Sequence, residues 1–119
     1  MIGSTVIMER FLQFNNSLRL GSLAANLARI YSFTTKLNYK DGVETMLDES
    51  KFFIDWMAKD SDMDTRIYLL GLQRQLAVWR FNLSKLWDSE EKKNEMADCA
   101  KKYSDEIIVK SRLLMNTKK

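Results

Sequence analysis

Not one of the 119 residues is a proline, and only four are glycines. Proline removes a backbone donor and its ring collides with the preceding turn, so it breaks helices. A chain free of it can run as long helices, and the apolar spacing shows where. Leu69, Leu72, Leu76, Trp79, Leu83 and Leu86 recur at intervals of three and four, one helix face sustained for more than two heptads. Leu20, Leu23, Leu27 and Ile30 repeat that spacing over roughly 17–36, where Ala24, Ala25 and Ala28 add helix propensity. A short helical turn at about 7–14 precedes them. Val43, Leu47, Ser50, Ile54 and Met57 predict a further helix, opened by Asp41 with Glu44 three residues on in a capping-box pattern. Residues 59–64 read as its stop and loop, with Asp62 or Asp64 capping the leucine helix that follows. The last helix starts at Asp88 or Ser89, turns Met96, Cys99, Ala100, Tyr103, Ile107 and Leu114 inward, and frays over its final four residues.

Short connections make successive helices antiparallel neighbours. The predicted fold is therefore all-α: a single domain over residues 1–119, an antiparallel up-down bundle of four helices with short flexible ends. With 45% apolar and 29% charged residues the composition is that of a globular chain, and this length buries a core without disulfides or metals. The one cysteine, Cys99, has no internal partner, which favours a reducing, cytoplasmic location. No stretch approaches the ~20 apolar residues of a membrane span. The first residues are too soon charged for a secretory signal, and no membrane partner is expected.

The residue inventory restricts the chemistry. There is no histidine, which removes His-based general bases, Ser-His and Cys-His nucleophiles, and His-containing metal sites. Cys99, beside Ala100 and Tyr103, reads as a small core residue. Gly21 and Gly71 interrupt helical patterns at a cost of about 1 kcal/mol each, which points to close helix approach rather than a phosphate loop. Asp60, Asp62 and Asp64 alternate like part of a calcium loop, but the required glycine and distal glutamate are missing. The expectation is a protein that is not an enzyme and holds no cofactor or metal.

Charge is sorted along the chain. Arg10, Arg19, Arg29, Lys36 and Lys40 come with no acid between them. Eight acidic residues then fall between Asp41 and Asp64, against only Lys51 and Lys59, and Arg66, Arg74, Arg80 and Lys85 follow with no acid. After Glu106 come Lys110, Arg112, Lys118 and Lys119, again without acid. Arginine's planar fork suits phosphate oxygens, so Arg29, Lys36, Arg66, Arg74, Arg80 and Lys85 are the expected contacts to the backbone of RNA or single-stranded nucleic acid. Plain complementarity between a basic helix and an acidic one accounts for the same pattern. A second expectation concerns aromatic surplus. Phe52, Phe53 and Trp56 spread round more than one face, and Tyr68, Phe81 and Trp87 lie off the leucine stripe. Phe52, Phe53, Trp56 and Trp87 are accordingly candidates for a protein interface, as in an adaptor, an assembly factor or a self-associating chain.

Three stretches carry a family resemblance: Ser22-Leu-Ala-Ala-Asn-Leu-Ala-Arg29, Glu49-Ser-Lys-Phe-Phe-Ile-Asp-Trp56 and Leu72-Gln-Arg-Gln-Leu-Ala-Val-Trp79. With the chain's size, they resemble small α-helical proteins of cyanobacteria and the small helical subunit of type III CRISPR effector complexes, over Ser22 to Trp87. The resemblance implies a non-catalytic subunit in antiviral defence that packs along a ribonucleoprotein and touches the guide–target RNA backbone. It assigns no individual residue.

Overall fold

The computed structural model describes residues 2–117, and side chains over 6–115. The order is α1 (Ile2–Leu12), α2 (Asn16–Thr35), α3 (Lys40–Met57) with a 3-10 turn at Ala58–Asp60, α4 (Met63–Phe81), α5 (Leu83–Trp87) and α6 (Glu90–Thr117). All regular structure among the described residues is helical. The count is six helices rather than the expected four, for two reasons. The turn expected near 7–14 is a helix of its own, and the leucine helix breaks at Asn82. There the Asn82 side-chain amide donates to the Val78 carbonyl at 2.9 Å, competing with the backbone for that acceptor. Leu83 nonetheless stays buried on the short helix beyond the break. At the other end α6 continues through Asn116 and Thr117, while Lys118 and Lys119 of the expected tail lie outside the described residues.

Local chemistry fixes the helix starts. Asn15 caps α2 by accepting from the Leu18 N–H at 2.9 Å. Asp62 caps α4, accepting from the Thr65 N–H at 2.7 Å, and that bond holds its carboxyl below the usual range. Ser89 accepts from the Lys92 N–H ahead of α6. The Asp41–Glu44 capping box does not form. Tyr39 occupies the cap with no side-chain bond, Asp41 lies in the first turn, and Glu44 turns to Arg80. The chain enters α3 through Asn38 at φ 49°, a left-handed conformation that asparagine tolerates. Tyr39 then folds edge-on against Phe33. Gly42 lies beneath this pair. A Cβ there would overlap the Tyr39 ring and stand 2.8 Å from Phe33. Of the three glycines described in this way, Gly42 is the one at which a side chain would force its neighbours to shift. A Cβ at Gly21 or Gly71 would meet nothing within 4 Å, so the close approach expected at those two does not occur within the chain.

Leu20, Leu23, Leu27 and Ile30 on α2 have almost no exposure, and α2 packs most extensively against α6, then against α3. Hydroxyls stitch the α2–α6 seam. Ser17 and Ser111 each donate to the other's carbonyl, at 3.0 and 2.8 Å, and Ser104 donates to the Ala24 carbonyl at 2.8 Å. Numbers rise on α2 as they fall on α6, so the two run in opposite senses. Leu69, Leu72, Leu76 and Trp79 of α4 complete the core with Met96, Ala100 and Ile107 of α6. α1 rests on α3 through Phe11, stacked on Phe53 with ring centroids 4.3 Å apart. No helix among the described residues is long and apolar enough to cross a membrane.

Candidate functional site

The arginines of α4 divide into two kinds. Arg80 binds Glu44 at 2.8 Å and Asp48 at 3.0 Å, both on α3. Arg66 donates to the carbonyls of Ala58, Lys59 and Ser61 at 3.0–3.4 Å, where a helix end leaves acceptors without intrahelical donors. Gln73, midway between them, donates to the Lys51 carbonyl and the Asp55 carboxylate. The Arg66–Gln73–Arg80 edge therefore faces α3 and is committed there. Arg29 is exposed and donates to Asn26, which in turn donates to Glu49. Lys36, Arg74 and Lys85 are exposed, form no ion pair among the described residues, and sit on separate elements: the end of α2, the middle of α4, and α5. Arg66 and Arg80 are thus taken up within the fold, while Lys36 and Lys85 flank, along the chain, a contact in which Lys40 donates to Ser84 at 3.1 Å.

The aromatic candidates need one correction. Phe53 is core, 6% exposed beneath Phe11, because α1 folds over the side of α3 on which it lies. Trp56 is partly buried against the same pair. Phe52 remains half-exposed and stacks on Trp56. Trp87 is partly buried under the amine of Lys93, 4.8 Å from its ring. Lys93 is itself buried and bonded to Asn38 and Glu90.

A further uncovered apolar feature lies on α4. Phe81 is 89% exposed, Met63 64%, Ile67 63%, and Leu70 and Val78 49% each. Arg74 and Ala77, both exposed, fall between them. At about 100° per residue, positions 63, 67, 70, 74, 77, 78 and 81 form one stripe down α4, opposite Leu69, Leu72, Leu76 and Trp79. The helix is apolar on two faces, and the fold covers one. The signal is present in the sequence as a second four-three series interleaved with the first. Of its apolar members sequence reasoning picked out only Phe81, because the inner leucines and the arginines already accounted for this helix.

A shallow cleft of about 270 Å³ on α6 is lined by Cys99, Lys102, Tyr103 and Glu106. Tyr68 reaches across from α4 and donates to Glu106 at 2.8 Å, with the Lys110 amine over its ring. Burial, and then the Glu106 carboxylate, push the Tyr68 phenol upward. Burial also raises the Cys99 thiol, the reverse of what activates a nucleophile. Among the described residues no three His, Cys, Asp or Glu side chains are grouped to hold a metal.

Comparison with protein families, curated proteins and solved structures finds no match. Function is then read from the chain's own surface, where the outer face of α4 is the most distinctive feature.

Proposed function

We propose that this protein is a non-catalytic interaction module whose docking surface is the outer face of α4. The observation that carries the reading is the bifacial helix. Five large apolar side chains line one continuous, solvent-facing stripe on a 19-residue helix whose opposite face is core. Contiguous exposed apolar surface of this kind marks interaction sites, whereas apolar residues exposed singly do not. The bundle of long helices, taken as up-down, is the scaffold. Arg80 fastens the end of α4 to α3 and Arg66 fastens its start to the turn that follows α3, which limits the ordering cost of binding. The RNA-backbone reading has less support, since Arg66 and Arg80 are engaged within the fold. The lone Cys99 fits a reducing compartment.

Site-specific photo-crosslinking tests the reading. A photoreactive side chain at Leu70, in cells, is expected to trap polypeptide, and the same group at exposed Asp105 on α6 is not. Equal labelling at the two positions would remove α4 as the docking surface. Salt-sensitive nucleic acid trapped at Leu70 would return the weight to phosphate binding.

A further inference from the structure

We infer that the occupant of the outer face of α4 is a second copy of this chain, with α4 against α4 in opposite senses about a two-fold axis near position 72. The inference rests on the docking reading above and deepens it.

The first argument comes from Gly71. It lies mid-helix and exposed, at the edge of the stripe, with a negative φ. A Cβ there would meet nothing within 4 Å. Alanine would suit the isolated helix better, so the chain's own fold gives no reason for glycine. The stripe runs from Met63 to Phe81, and its midpoint is position 72. In a two-fold pair Gly71 lies one residue from that midpoint and about 70° round the helix from the stripe's centre line, so it flanks the contact, where the missing side chain leaves room for the second helix. Gly21 is equally open, but Leu18 is the only large apolar residue exposed on α2, so no apolar stripe accompanies it.

The second argument is register. With the helices antiparallel about position 72, Met63 meets Phe81 of the second copy, Ile67 meets Ala77, Leu70 meets the aliphatic stem of Arg74, and Val78, at the stripe's edge, comes level with Arg66. This is the a-to-d pairing of an antiparallel coiled coil, with a large residue opposite a small one at Ile67. A parallel pair would set Arg74 directly on its own copy. The antiparallel pair displaces the two by four residues, ~6 Å along the axis, and lets each guanidinium extend to the rim. Asp55, exposed and accepting from Gln73 at the stripe's edge, is the carboxylate on that rim for the opposite Arg74. The two charges are complementary across the axis.

The third argument is area. Covering the stripe removes on the order of 500 Å² from each copy, near the ~1,000 Å² total that a specific interface must clear. The dimer is accordingly one that dissociates on dilution.

Sedimentation velocity on the purified full chain from about 1 to 500 µM tests this. The expected result is a monomer–dimer equilibrium. Ile67→Lys should be monomeric throughout with an unchanged helical circular dichroism spectrum. Gly71→Ala should raise the melting temperature of the dilute monomer while weakening dimerisation at least tenfold, a split that a purely structural glycine would not produce. In a Cys99→Ser background, mixed Ile67→Cys and Ala77→Cys chains should oxidise with copper-phenanthroline to a disulfide between unlike chains, and Ile67→Cys alone should not. A chain monomeric at every concentration overturns the inference, as does a dimer that survives both Ile67→Lys and Gly71→Ala. Either result leaves α4 as a docking face if Leu70 still traps another polypeptide.

Discussion

Arg74 and Arg80 stand six positions apart on one helix, and their surroundings give them different work. Arg80 holds two carboxylates of α3, with its side chain 35% exposed. Arg74 is exposed in the middle of an apolar stripe. Partly exposed ion pairs each contribute only a fraction of a kcal/mol after screening. Arg80→Ala should therefore cost about 1 kcal/mol in urea unfolding, and less in high salt, whereas Arg74→Ala should stay within about 0.5 kcal/mol at monomeric concentration. Equal losses would mean that Arg80 contributes no more than a solvated charge. Sequence alone could not separate the two, because both belong to one unbroken run of basic residues. What separates them is a helical phase of 120° and the position of α3. Phe52 and Phe53 make the same point. They are neighbours 100° apart on α3, and only the arrival of Phe11 buries one and leaves the other half-exposed.

At the scale of elements, the inner seams were legible from spacing, since one period of three and four residues maps directly onto a buried face. Leu20, Leu23, Leu27 and Ile30, and Leu69, Leu72, Leu76 and Trp79, all fall where that period puts them. The break at Asn82 and the separate α1 depend on side-chain-to-backbone competition and on tertiary cover, which periodicity does not encode. The outer stripe of α4 is the counterpart of its inner seam. Two interleaved periods were present, and only the stronger one registered. Between α4 and α6 the contact is aromatic and polar, made by Tyr68, Tyr103, Glu106 and Lys110, and it predicts a pH response. Burial and Glu106 raise the Tyr68 phenol above its ordinary value, so folding favours the neutral ring. The resulting stability is complete below the usual tyrosine value of about 10 and is lost as pH climbs past it. In thermal melts between about pH 9 and 11.5 the native chain should lose stability more steeply than Tyr68→Phe. Parallel slopes would show that folding does not raise the Tyr68 phenol.

For the whole molecule, α6 sets the form. Its 28 residues span roughly 42 Å at 1.5 Å each, and the longest principal extent is 46 Å. It covers one side of α2 over most of that length, so the core is shared across the chain rather than built from local pairs. A chain ended after Asp98 should accordingly lose cooperative unfolding and bind a hydrophobic dye, even though α2, α3 and α4 are all present. A sharp two-state melt from that truncation would show that α6 is an accessory. The α2–α6 seam also has a consequence for biosynthesis. Ser17 and Ser111 are 94 residues apart, so at about 5–20 residues per second the ribosome needs on the order of ten seconds to deliver the cover for a helix it has already released. For that interval the leucines of α2 lack their cover, and the nascent chain cannot close this core until α6 has been made.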